Sequence, residues 1–362
     1  MIRWRDGVVT AVGRGWPGAV ELDVTISGGE ACRALAYPAL TGLPSPGDRV
    51  LLNTTALAMR LGTGGYAFVV AIPDRLPPDG PPSVGHVVKA RYTPLQVTVL
   101  GADEQDSPHH EVLRDADDLG GMPVVVADLH SALPAVLAGT RGPASPRAAG
   151  LPRAVYVTLD GGALPAWFSR TSAGLREAGW LAGTITVGQA FGGDLDAVTL
   201  HTGLLAARHV LGADLAVVTQ GPGNLGTGTR WGFSGVACGE AVNAAAVLNG
   251  RPVASLRLSE ADPRERHRGV SHHSLTAYGR VALARADLVV PELPGEFGAR
   301  VSGQAAALGA RHRLVRVPVD GLREALAACP VPLSTMGRGL DEDPAYFLAA
   351  AAAGRHALSL LA

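Results

Sequence analysis

The residues best suited to chemistry lie in a glycine-rich stretch. Gly221-Pro-Gly223-Asn-Leu-Gly226 matches GxGxxG and directly follows the apolar run Leu215-Ala-Val-Val-Thr219. Glycines in such a loop let backbone N–H groups approach a phosphate or a carboxylate closely. The stretch also departs from a dinucleotide fingerprint. Pro222 removes an N–H, and the loop runs on through Thr227, Gly228 and Thr229 instead of opening a helix. The next strand-end acid, Glu260, comes 34 residues after Gly226, where about 20 is expected. A nicotinamide or flavin dinucleotide is therefore disfavoured. The same residues fit GxxxxG, but Thr227 stands where a nucleotidase loop needs lysine, and Lys89 is the sole lysine beside thirty arginines. What survives is backbone binding of an anion by Gly221, Gly223, Asn224, Gly226, Gly228 and Thr229.

A second stretch runs Asp262-Pro-Arg264-Glu-Arg266-His267-Arg268-Gly-Val-Ser271-His272-His273-Ser274, with Arg257 upstream. Guanidinium forks match carboxylate and phosphate, so Arg268 here, and Arg338 in Gly337-Arg-Gly339, are candidate counter-charges. Ser271 or Ser274 can cap the helix that follows. The alternative is a solvated loop in which the arginines alternate with Glu265 and His267. His272 and His273 are adjacent, so on a helix their side chains are expected to diverge rather than face one metal.

Acids and histidines also follow the strand-like runs. Asp160, Asp194 and His272 are the candidates for acid–base work. Asp128, His130, Asp160 and Asp194, with His201 and His272, could contribute to a divalent metal site, because carboxylate with imidazole suits Zn, Mn or Fe. No HExxH or comparably tight spacing occurs. A nucleophile is less supported: Ser169, Ser234 and Cys238 follow glycine-rich segments, yet none lies in GxSxG.

The elements that must position these residues fall into two groups. Residues 1–72 hold five short β runs separated by Gly and Pro. Val20, Leu22, Val24 and Ile26 alternate with Glu21, Asp23 and Thr25, the period-two signature of a half-buried strand. Five such strands predict a small barrel of oligonucleotide-fold or SH3-like type. Residues 73–85 are a proline-rich linker. Residues 86–362 alternate strand-like runs, from Gln96–Leu100 to Val331–Thr335, with helical stretches that include 275–286 and 344–360. Asp343 and Pro344 mark the start of the last one, and 139–152 reads as a surface loop. The expected fold is α/β: a small N-terminal β-barrel-like domain followed by a doubly wound, mainly parallel α/β domain. In such sheets ligands bind at the carboxyl ends of the strands, where the candidate loops gather.

Composition narrows the function classes. The chain has 362 residues, 47% hydrophobic and 17% charged, with net charge −1. That excludes intrinsic disorder and supplies no global positive field for duplex DNA. Cys32, Cys238 and Cys329 show no CxxC spacing, so neither a disulfide framework nor a zinc ribbon is expected. Residues 1–9 lack a signal-peptide pattern, and no run reaches about 18 apolar residues, so a cytoplasmic protein without a membrane partner is expected.

The strings TQGPGNLGTGTRWGFSG (219–235), GVSHHSLTAYGR (269–280) and STMGRGLDEDPAYFLAAAAAG (334–354), behind GDRVLLNTTA (47–56), are similar to an uncharacterised family of actinobacterial and firmicute proteins. That family is described only as a domain of unknown function. The resemblance spans nearly the whole chain and implies a cytoplasmic bacterial protein. It brings no activity, cofactor or catalytic residue.

The residues therefore point to a protein, enzyme or enzyme-like binder, that takes a small phosphorylated or carboxylated metabolite at the Gly-rich loops. The alternatives are a nucleic-acid or protein adaptor using the barrel, and a homo-oligomeric scaffold using the Ala-rich C-terminal helix. The near-neutral charge disfavours the nucleic-acid version.

Overall fold

The computed structural model describes residues 1–62, 64–79, 85–141 and 150–361. Parts of the expected linker (80–84) and of the expected loop at 139–152 (142–149) lie outside the described residues. The chain divides into two compact units, Met1–Val99 with Trp167–Ala173, and Leu100–Ala166 with Gly174–Ala362.

In the first unit, β1 (Trp4–Trp16), β2 (Ala19–Ile26), β3 (Ala31–Ala36), β4 (Arg49–Asn53) and β5 (Ala67–Ala71) form a closed barrel in the order β1-β2-β3-β5-β4. The β1–β4 ladder closes it, and β3–β5 is its parallel pair. Register shifts in β1 after Val9 and after Val12 bend that strand around the barrel. The alternation in β2 is realised: Val20, Leu22 and Val24 point into the barrel core while Asp23 is exposed. The expected strand at Gln96–Leu100 is shorter. It is β7 (Val97–Val99), which pairs with β6 (Val87–Lys89) in a separate ribbon of this unit, with Lys89 fully buried. Two barrel side chains of the kinds that bind single strands, an indole and a guanidinium, have partners within this unit. Trp16 Nε1 donates to Trp167 O at 2.6 Å, and Arg33 pairs with Glu21 at 3.3 Å.

The second unit is built on eight parallel strands: β8 (Pro123–Val126), β9 (Ala154–Leu159), β10 (Gly183–Thr186), β11 (Leu195–Asp196), β12 (Leu215–Gln220), β13 (Arg251–Ser255), β16 (Asp287–Glu292) and β17 (Arg313–Pro318). A two-stranded ribbon, β14 (Leu258–Ser259) with β15 (Gly269–Val270), stands outside the sheet. Apolar runs are expected for strands covered on both faces, and that is how they pack. Val124 and Val126 join a core with the helices Leu200–His209, Ala237–Val247 and Gly295–Ala306. Val125 and Val217 join the opposite core, with Leu133–Gly139, Leu322–Ala327 and Pro344–Ser359.

The Ala-rich last helix belongs to this second core. Ala350 to Ala353 are buried, and the helix crosses Leu133–Gly139 so closely that side chains are barred on both. A Cβ on Gly354 would lie 1.9 Å from Val136 O, and one on Gly139 would lie 1.9 Å from Ala351 O. Small residues all round thus serve close packing inside one chain.

Three local expectations change. The stretch 275–286 is a short helix, His272–Thr276, continued by a π-helical turn, Ala277–Val281. Residues 331–335 form no strand, only a bridge between Thr335 and Arg338. Asp343 stands before the last helix but makes no side-chain cap, because its carboxylate is used elsewhere. Among the described residues no helix is long and apolar enough to cross a membrane.

The strand order is β11-β10-β9-β12-β8-β13-β16-β17. The chain leaves β8 toward β9, β10 and β11, returns to insert β12 beside β8, then crosses to β13 on the other side. β8 is therefore the point where winding reverses, and the loops after β12, β8 and β13 diverge there. A crevice is expected at the carboxyl ends of these three strands.

Candidate functional site

One residue from each of the three strand ends converges at that crevice. Asp128 follows β8, Gln220 ends β12, and Arg257 follows β13. Gln220 Nε2 donates to Asp128 O at 2.9 Å and to Asn224 Oδ1 at 2.7 Å. Arg257 Nη1 donates to Asp128 Oδ2 at 3.0 Å, and His273 Nδ1 lies 2.9 Å from the same oxygen. Asp128 and Arg257 are each only 6% exposed. Burial pushes the Asp128 carboxyl up, but the His273 hydrogen bond and the Arg257 charge outweigh it and hold the group below the usual carboxylate range. Its second oxygen, Oδ1, is buried without a hydrogen-bond partner. It packs against Gly235, where a Cβ would sit 1.7 Å from it. Phe233 stacks on the His273 ring at 3.8 Å between centroids.

The other wall comes from an excursion after β13. The β14–β15 pairing returns the chain, and Ser271 N donates to Arg257 O at 2.9 Å. Ser271 then caps the short helix, its Oγ accepting from His273 N. Ser274 Oγ accepts from Arg257 N at 2.9 Å, which ties the helix to the strand end. The expectation that His272 and His273 diverge fails. They occupy the first turn of a five-residue helix, their ring centroids are 4.5 Å apart, and the His267 ring lies 5.0 Å from both. Each of the three histidines offers a ligand atom within 4.8 Å of the others.

His267 Nδ1 is 2.8 Å from Ser271 Oγ, and His273 Nδ1 lies 2.9 Å from Asp128 Oδ2 and 3.0 Å from Arg257 Nη1, so both rings already engage their Nδ1 within the site. His272 Nε2 is buried and unpartnered. Burial, with the charges of Arg257 and Arg264, pushes His267 down to about 3. Burial, with His273 and Arg266, pushes His272 down to about 4. Both rings are therefore neutral at physiological pH.

The three rings line a cavity of about 100 Å³ with Asn224, Gly226, Gly228 and the arginines 257, 264 and 266. Gly228, Arg266 and His272 also line a larger open groove of about 910 Å³, together with Arg230, Trp231, Arg280 and Arg311. A buried polar frame supports the floor. Arg264 binds Asp262 through Nε at 2.9 Å and Nη2 at 2.8 Å. Asp343, fully buried, accepts from Ser259 Oγ at 2.6 Å and Arg338 Nε at 3.0 Å. Burial raises the Asp262 carboxyl, but the bonds from Arg264 dominate and hold it well below its ordinary value.

The residues singled out in the sequence are thus distributed unevenly. Asn224, Gly226, Gly228 and His272 line the cavity. The stretch 224–234 folds on itself rather than opening a helix: Gly226 bridges Phe233, Thr227 N donates to Gly232 O, and Thr229 Oγ1 accepts from Gly232 N. Gly221 packs against Ala163, and Gly223 has open space around it. Arg338 is committed to Asp343 and Asp262, and Arg268 Nε to Asp262 O. Asp160 accepts from Gln189 N at 2.8 Å, Asp194 pairs with Arg176 at 2.8 Å, and His130 Nδ1 lies 2.9 Å from Tyr156 Oη. Burial pushes His130 down to about 4. His201 is exposed in the first turn of its helix. His267 and His273 were visible as letters, but not as a set. The pointer in the sequence is H-x4-H-H beside a capping serine.

Fold and site together define a two-unit α/β protein, with a closed five-stranded barrel and a histidine- and arginine-lined cavity where its parallel sheet reverses winding. The chain belongs to the family described as "Protein of unknown function (DUF3866)", which matches residues 33–354. No curated protein and no solved structure matches the chain.

Proposed function

We propose that this protein binds a small phosphorylated or carboxylated metabolite at the carboxyl edge of its large sheet, as an enzyme or enzyme-like protein of the bacterial cytoplasm. The observation that carries the reading is the convergence of Arg230, Arg266, Arg280 and Arg311 on one groove whose described lining holds no carboxylate. Arg257 and Arg264 are already neutralised by buried acids, so they orient the site. Arg266 makes no ion pair among the described residues and lines both the groove and the histidine cavity, so it is the arm for an incoming anion. The groove's size suits a small metabolite. Trp231, 55% exposed, offers a face for a flat group beside the anion.

Calorimetric titration with inorganic pyrophosphate and with citrate tests the reading. Arg266→Ala should weaken binding about tenfold or more, since a hydrogen bond to a charged group contributes about 1.5–3 kcal/mol. Absence of binding for both anions, or affinity unchanged in Arg266→Ala and Arg280→Ala alike, rejects it.

A further inference from the structure

We infer that His267, His272 and His273 form a binding site for one divalent transition-metal ion of the zinc class, with a coordination position left toward the cavity. The inference deepens the anion-binding reading, since it names what an anion would meet at the inner end of the groove. It stands on geometry that does not involve the groove's arginines.

Four observations converge. The three rings present ligand atoms within 4.8 Å of one another. A tetrahedral ion with bonds of about 2.0–2.1 Å holds its nitrogens about 3.4 Å apart, so small ring rotations complete the set. The Nδ1 atoms of His267 and His273 are engaged, the first by Ser271 and the second by Asp128 and Arg257, which makes Nε2 of each the nitrogen for an ion. A ligand histidine characteristically passes its other N–H to a carboxylate or hydroxyl in this way. His272 Nε2 is buried with no partner, a costly state for an imidazole nitrogen that a metal bond would relieve. All three rings line one cavity of about 100 Å³, which leaves room for an ion and a further ligand.

The chemistry of the donors selects the ion. Three imidazoles with no first-sphere carboxylate favour zinc and its neighbours over magnesium or calcium. Two of the cavity's three arginines are paired, Arg257 with Asp128 and Arg264 with Asp262, and the third, Arg266, remains for the anion. Three protein ligands with a further position open is the arrangement of catalytic rather than structural zinc sites. An ion there would act as a Lewis acid on an oxygen of the bound anion, with Arg266 and His272 shared between cavity and groove. Asp128 is then a positioning residue: it holds His273 in the ligating tautomer and does not itself touch the ion.

The test uses untagged full-length protein, stripped with chelator and dialysed against Zn²⁺ or Co²⁺ alone. Elemental analysis should find one equivalent of Zn²⁺, and Co²⁺ should give visible d–d absorption of a low-coordinate site. His272→Ala and, separately, His267→Gln should lower Zn²⁺ affinity by more than the roughly 10–100-fold that outer-shell changes cost, with far-UV circular dichroism unchanged. His272 is half-buried and outside the polar frame, so its variant serves if His267→Gln fails to fold. Less than one equivalent of Zn²⁺ in the parent, or equal affinity in a folded histidine variant, overturns the site. Pyrophosphate and citrate titration of the same samples separates the two readings. Metal bound without affinity for either pyrophosphate or citrate leaves the metal site standing and removes the anion reading; anion affinity without metal does the reverse.

Discussion

Two regions of the large sheet use similar residues to opposite ends. Asp160, after β9, and Asp194, just before β11 and beside Thr184 near the amino end of β10, meet their needs locally. Asp160 accepts a loop N–H, and Asp194 accepts from Thr184 N and Arg176. These carboxylates shape loops at a partly solvated surface. After β8, β12 and β13, the polar groups are buried and incompletely satisfied: Asp128 Oδ1, Gln220 Oε1 and His272 Nε2 all lack partners. Such groups are expensive to keep in an interior. The contrast teaches that at an α/β strand edge, hydrogen-bonding capacity left over in a buried place is a better pointer to ligand chemistry than the presence of an acid.

Substitutions can break or sharpen this comparison. The largest effect is expected from Asp128→Ala, which strands Arg257 and His273 in the interior. Urea unfolding should show a loss of about 3–5 kcal/mol, and a loss below about 1 kcal/mol would place Asp128 among the loop-shaping acids. Gly235→Ala comes next. Its methyl would collide with Asp128 Oδ1, so about 1–3 kcal/mol should be lost by overpacking, measured by the same unfolding.

Asp287, on the amino-terminal end of β16, offers a half-buried acid paired with Arg313 and His356. Burial pushes its carboxyl up, but the hydrogen bonds from His356 and Arg313 outweigh this and hold it at about 2. Its pairing therefore stabilises the fold above the unfolded value of about 3.9, and this contribution drains away as pH falls toward 2. About 2 kcal/mol of acid-dependent stability should be absent from Asp287→Asn, with metal and anion binding intact at pH 7; an unchanged acid slope would refute it. The smallest effect belongs to Asp194→Asn. Its ion pair with Arg176 is 37% exposed on both sides, so thermal melts should show a loss under about 1 kcal/mol.

Much of the architecture was legible because it rests on local pattern. Alternation in Val20–Ile26 marks a barrel strand, and the valine run before Asp128 marks a strand covered on both faces. Asn224, Gly226, Gly228 and His272 could be singled out because they sit at loops after strands, where α/β sheets bind ligands, and they line the cavity. Arg338 and Asp343 were misjudged for one reason. Each was assigned a local or ligand-facing duty, yet both serve a buried network that spans residues 259 to 343.

The sequence by itself determined the layer order, the closed barrel and the edge of the sheet on which polar loops gather, since periodicity and glycine placement are properties of neighbouring residues. Only the tertiary structure decided that β12 inserts between β9 and β8, which makes β8 the reversal point and brings Asp128, Gln220 and Arg257 together. It alone showed that two adjacent histidines turn toward a third, because a serine cap and a five-residue helix hold them in a first turn. Strand order and ring orientation depend on contacts between residues a hundred or more positions apart, and no local pattern encodes those.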